Sequence, residues 1–134
     1  MTNTVLESKE LCKTYIVNGY SNNVLQNVDF KLNEGEFTAI MGPSGSGKST
    51  LLYTLSGMDK MTSGSVKFDG DEMAKMNHKQ LTNLRLNKMG FVFQQMYMLK
   101  KLCIMDNIVL PGYQAGKKTK DEVNDRARQL MHND

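Results

Sequence analysis

Gly42-Pro43-Ser44-Gly45-Ser46-Gly47-Lys48-Ser49 decides how this chain is read. The stretch fits G-x-x-x-x-G-K-[ST] at every fixed position. Its chemistry requires those residue types. A triphosphate must be wrapped closely by backbone N–H groups, and glycines at 42, 45 and 47 permit that approach. A helix starting near Ser49 points its positive end at the phosphates. Lys48 offers a cation to the β- and γ-phosphates, Ser49 a hydroxyl to magnesium, and Thr50 a donor to the α-phosphate. The loop therefore predicts binding of a nucleoside triphosphate, with ATP and Mg2+ as the expected pair.

The flanks agree with the loop. Phe37 to Met41 is a short apolar run, as expected of a strand buried on both faces. After the loop a helix is expected from Ser49 to Leu55, stopping near Gly57. Further out, Val5–Leu11 and Val24–Leu32 read as strands, with Val28, Phe30 and Leu32 on one face. Asn18, Gly19, Ser21, Asn22 and Asn23 between them are turn formers. Ser65–Phe68 is a strand closed by Asp69-Gly70, a strong turn pair. Asn77 is a cap for a polar helix through about Lys88, and Gly90–Phe93 is another short apolar strand. From Asp106 onward the pattern is helical, broken at Pro111-Gly112. A last helix starts at Thr119 or Asp121.

Composition narrows the function classes. The 134 residues carry a net charge of +3, too weak for nucleic-acid binding, and the Lys117, Lys118, Lys120 group adjoins acids at 121 and 122. Cys12 and Cys103 have no metal-ligand spacing and are expected as buried, reduced thiols. The 11 methionines are expected as core filler. No apolar run reaches the roughly 18 residues that cross a bilayer, so a cytosolic chain is expected, with any membrane role exerted through a partner. His78 and His132 lie in polar helical stretches and read as surface residues.

Taken together, the motifs resemble the ATPase subunit of an ABC transporter. The likeness begins at Tyr15 and runs through Glu34-Gly35-Glu36-Phe37, the phosphate loop, Thr62-Ser63-Gly64-Ser65, Phe68-Asp69-Gly70 and Phe91-Val92-Phe93-Gln94. Phe91–Gln94 and Asp106–Pro111 look like the branch serving lipoprotein release and macrolide or antimicrobial-peptide export. The resemblance implies an α/β fold: a P-loop NTPase core with a RecA-like sheet, an antiparallel β-subdomain, and an incomplete helical subdomain. Core and β-subdomain are expected over about 1–95, and the start of the helical subdomain over about 96–134. It also implies site roles. Tyr15 matches the aromatic that stacks on adenine, with Tyr20 as rival. Gln94 matches the glutamine that touches magnesium and the attacking water. The implied partners are a transmembrane permease subunit and a second ATPase subunit, head to tail, on the cytoplasmic face of the membrane.

The departures also count. The family's Leu-Ser-Gly-Gly-Gln signature, acidic strand with catalytic glutamate, and switch histidine do not occur in these 134 residues. Leu55–Asp59 resembles the signature only superficially. The chain is thus expected to hold nucleotide with little or no turnover, and to be marginally stable or self-associating where core strands are uncovered. A competing reading takes Leu102–Met105 as a strand presenting Asp106 to magnesium, which would make a compact P-loop NTPase or kinase. Asp106 is also a candidate cap for a helix starting there.

Overall fold

The computed structural model describes residues 3–132. It divides into two compact units, Met1–Leu81 and Thr82–Asp134.

The first unit is built on an antiparallel sheet. β1 (Thr4–Val17) and β2 (Tyr20–Asn33) form a long ribbon, and β3 (Ser63–Phe68) and β4 (Asp71–Glu72) extend it in the order β2-β1-β3-β4. Both strands of the ribbon are longer than expected. The reason is the two-residue connection: Asn18 (φ 52°) and Gly19 (φ 79°) both take positive φ, which lets Val17 pair with Tyr20. That geometry belongs to the hairpin turn whose twist matches the strands. Ser21, Asn22 and Asn23 pair as strand residues instead of turning. Asp69 (φ 48°) and Gly70 (φ 84°) repeat the device between β3 and β4.

The ribbon is bent by bulges. Register slips between Ser8 and Leu11 and again before Thr14. Glu10 (φ 48°) sits in the first slip, and its N–H donates to Asp29 Oδ1 at 2.8 Å. Gly64 fits against this bulge: a Cβ there would lie 2.4 Å from the Glu10 carbonyl oxygen. This is the physical content of the glycine in Thr62-Ser63-Gly64-Ser65. Thr62 helps fix the same crossing, accepting from Thr14 N–H at 2.9 Å through its hydroxyl.

α1 (Lys48–Leu55) lies against β1 and β2. Leu11, Leu25, Leu55, Val66, Phe68 and Met73 supply the buried apolar side chains of this unit, with Ser8 and Thr54 buried among the polar ones. Ser8 and Thr54 satisfy themselves on backbone carbonyls, of Val28 at 3.0 Å and Thr50 at 2.7 Å. α2 (His78–Lys88) starts with a reciprocal cap: Gln80 N–H donates to Asn77 Oδ1 at 2.8 Å, and Asn77 N–H to Gln80 Oε1 at 2.9 Å.

The second unit holds α3 (Ile104–Ala115) and α4 (Lys120–His132). Val109, Val123 and Ala127 form its buried cluster, with Met105 and Ile108 packed on it. α3 does not break at Pro111-Gly112. Pro111 lies inside the helix, and Gly112 is a packing glycine: a Cβ on it would come within 2.7 Å of Val123 Cγ1. The close approach of α4 outweighs the lost hydrogen bond, and the helix ends at Gly116 (φ 66°). Thr119 caps α4 through its hydroxyl, which accepts from Glu122 N–H at 3.3 Å.

Several expectations change. Phe37–Met41 and Gly90–Phe93 are not strands and join no ladder among the described residues. Both are short apolar runs without an adjacent hairpin partner, and Phe37 and Val92 are fully exposed. Phe91 and Phe93 do share a side, their rings stacked 5.8 Å apart. Met73 is buried, but Met41 and Met96 are 87% exposed, so the methionines are not mainly core filler. Cys103 is exposed and Cys12 half-buried. Leu102–Met105 is not a strand. Cys103 Sγ caps α3 by accepting from Asp106 N–H, which puts Asp106 in the helix's first turn.

Candidate functional site

The loop between residue 41 and α1 curls tightly. Ser46 N–H donates to the Pro43 carbonyl at 3.2 Å. Gly45 (φ 81°) and Gly47 (φ 94°) occupy the left-handed region that side chains avoid. A Cβ on Gly42 would meet Ser46 Oγ at 2.8 Å, so the start of the loop lies over its end. Gly47 seats the loop on the sheet. Its Cβ position is 3.1 Å from Val24 Cγ1 and 3.3 Å from the Val24 carbonyl oxygen.

Lys48 turns back into this curve. Its Nζ donates to the carbonyls of Gly42 and Pro43, both at 2.7 Å, and to Ser46 Oγ at 3.2 Å. The ammonium is therefore held inside the loop. Gly47 caps α1 without a side-chain bond, and Leu51 makes the first helical bond, to the Gly47 carbonyl at 2.9 Å. The amides of Lys48, Ser49 and Thr50 thus have no helical acceptor. The first turn carries no acid. One cation, three amides without helical acceptors and the exposed Ser49 lie together at the positive end of the α1 dipole, a set of groups suited to an anion. Pro43, Ser44 and Gly45 form the exposed outer arc.

Tyr15 and Tyr20 are placed very differently. Tyr20 begins β2 at the hairpin tip and is 81% exposed. Tyr15 is half-buried on β1, which packs against α1, and the Thr50 side chain acts on its phenol. Its own hydroxyl donates to Asp59, in the turn after α1. Asp59 also accepts from Lys13 Nζ at 2.9 Å, and that ammonium stands 4.9 Å from the Tyr15 ring centroid. The bond to Asp59 holds the Tyr15 phenol above its ordinary range, with burial and the Asp59 charge adding to it and Thr50 opposing. For Asp59, burial pushes the carboxyl up, but the bonds from Tyr15 and Lys13 prevail and hold it below the usual value.

Lys13 and Asp59 were not legible as site residues. The one local signal is alternation, which puts Lys13 and Tyr15 on the same face of β1. Gln94 belongs to the second unit, at an exposed bend after Phe93. Among the described residues no group of three or more His, Cys, Asp or Glu could hold a metal ion, so a resident metal bound by protein alone does not fit. A magnesium ion carried by phosphate oxygens does fit the Ser49 hydroxyl, since magnesium commonly takes few protein ligands and keeps its waters.

A family model for the ABC transporter matches residues 25–134. The chain belongs to that family. The lipoprotein-releasing system ATP-binding protein LolD 1 of Chlorobium chlorochromatii (strain CaD3) is 37% identical over 132 residues, covering 98% of this chain and 54% of that protein. Two solved structures of the cassette MJ0796 are similar in fold. One is the dimeric structure of that bacterial ABC transporter cassette, at a TM-score of 0.87. The other is a dimeric post-hydrolysis state bound to ADP and Pi, at 0.86. Each is 37% identical and is matched over 92% of this chain and 54% of its own. The present chain thus spans about half the length of these ABC relatives. With the family come the α/β P-loop NTPase fold and nucleotide binding.

Proposed function

We propose that the chain is the ATP- and magnesium-binding part of an ABC ATPase subunit whose intact form couples ATP hydrolysis to export across a membrane. The observation that carries this reading is Lys48, held inside a glycine loop at the unsatisfied amide end of α1. In it, the amides of Gly45 to Thr50 cradle the phosphates and Lys48 moves from the loop carbonyls to the β- and γ-phosphates. Ser49 reaches magnesium and Tyr15 stacks on adenine. Gln94 reaches magnesium and the attacking water. Tyr15 is preferred to Tyr20 because its hydroxyl donates to Asp59, in the turn that follows the phosphate-loop helix, whereas Tyr20 stands 81% exposed at the hairpin tip.

The partners in this reading are a transmembrane permease subunit and a second ATPase subunit, at the cytoplasmic face of the membrane. The branch is that of lipoprotein release, the system named for the LolD relative. No helix among the described residues is long and apolar enough to cross a membrane. Residues 1–134 by themselves bind nucleotide and turn it over slowly or not at all, because a positioned water needs more charge stabilisation than Gln94 supplies.

Titration with Mg-ATP tests the core of the reading. Lys48→Ala removes a charge-assisted contact of about 1.5–3 kcal/mol, a loss of roughly tenfold or more in affinity. Equal titration curves for the two proteins would overturn it.

A further inference from the structure

The Tyr15 ring is gripped from outside the phosphate loop. Its hydroxyl donates to Asp59, and Lys13 both bonds that carboxylate at 2.9 Å and covers one side of the ring at 4.9 Å from the centroid. Lys13 is itself fixed, its side chain 12% exposed and its Nζ also donating to the Lys60 carbonyl. Asp59 is anchored in turn by its N–H, which donates to the Tyr53 carbonyl of α1 at 3.1 Å. A tyrosine so held has lost its rotamer freedom before any ligand arrives. An aromatic platform that is already ordered binds a base without the ordering cost of a free side chain.

We infer that Lys13 and Asp59 are positioning residues for base recognition, clamping Tyr15 so that the ring side away from Lys13 meets the purine. This rests on the reading of Tyr15 as the base-contacting aromatic. The clamp also ties the two ends of the nucleotide site together. Asp59, which holds the phenol, follows the C-terminal end of α1, and the phosphate loop leads into the N-terminal end of that same helix. A shift of the phosphate loop is transmitted to the ring through one short helix.

The test separates base from phosphate. ATP, ADP and inorganic tripolyphosphate are titrated into the 134-residue chain and its variants. Asp59→Ala is expected to weaken ATP and ADP together by about three- to tenfold, the range of one to two hydrogen bonds, and to leave tripolyphosphate unchanged within about twofold. Asp59→Asn, which keeps an acceptor for the phenol, recovers part of the loss. Tyr15→Phe keeps the ring and releases it from Asp59, so it is expected to behave like Asp59→Ala. It decides the matter alone if that variant does not fold. Combining Asp59→Ala with Tyr15→Ala adds nothing to Tyr15→Ala. Equal weakening of tripolyphosphate would make Asp59 a structural residue of the loop and overturn the inference. A loss with Tyr15→Ala but none with Asp59→Ala or Tyr15→Phe would overturn the clamp and leave the stacking role of Tyr15 standing. No loss with Tyr15→Ala would overturn both.

Discussion

Phe37–Met41 is the more apolar of two stretches with opposite fates, four apolar residues in five against seven in fourteen for β1. β1 is paired along its length, to β2 on one side and β3 on the other. Phe37–Met41 joins no ladder, and Phe37 is 100% exposed where Leu11 of β1 is 0%. Both have the residues for extended backbone. What differs is the distance in sequence to a partner. β1 meets β2 across two residues, a connection open only to antiparallel strands, whereas a strand of a parallel sheet needs a crossover of a dozen residues or more. A strand is therefore a property of a pair, and a sequence window of five residues cannot supply the second member.

The comparison can be broken by substitution. Leu11→Ala removes a side chain buried between paired strands and is expected to cost about 2–5 kcal/mol. Urea unfolding followed by circular dichroism reads this directly, and an unmoved midpoint would mean the ribbon is not the stable element. Gly64→Ala comes next. It forces a side chain at φ 95° into the Glu10 carbonyl, with an expected loss of about 1–3 kcal/mol in the same assay. A variant as stable as the parent would show that the bulge gives way cheaply. Phe37→Ala is the smallest change despite the larger side chain, within about 0.5 kcal/mol. A loss of several kcal/mol would place Phe37 in a packed core and end the contrast.

The same distinction explains what the sequence revealed. Asn18-Gly19 and Asp69-Gly70 were readable because positive φ is a local demand that these residues meet cheaply. The cap at Asn77 and the phosphate loop were readable for the same reason, each being complete within a few residues. The fate of Pro111 was not local. Helix propensity alone ends α3 there, and only the approach of Val123 to Gly112 shows why it continues. The exposed methionines belong to the same class, since exposure depends on what packs above them. Lys13 and Asp59 were missed because they meet across 46 residues of chain, and nothing in either neighbourhood announces the other.

The seat of Gly47 on Val24 and Leu25 has a consequence for timing. β1, β2 and α1 all lie within the first 55 residues, and a hairpin forms in about 1–10 μs. Synthesis proceeds at roughly 5–20 residues per second. The 35 residues from Leu55 to Gly90 thus take about 2–7 s to add. The ribbon and its phosphate loop can close long before Phe91 exists. A nascent chain could therefore already hold its anion-binding curve, and nucleotide in the surrounding solution would stabilise that half during elongation.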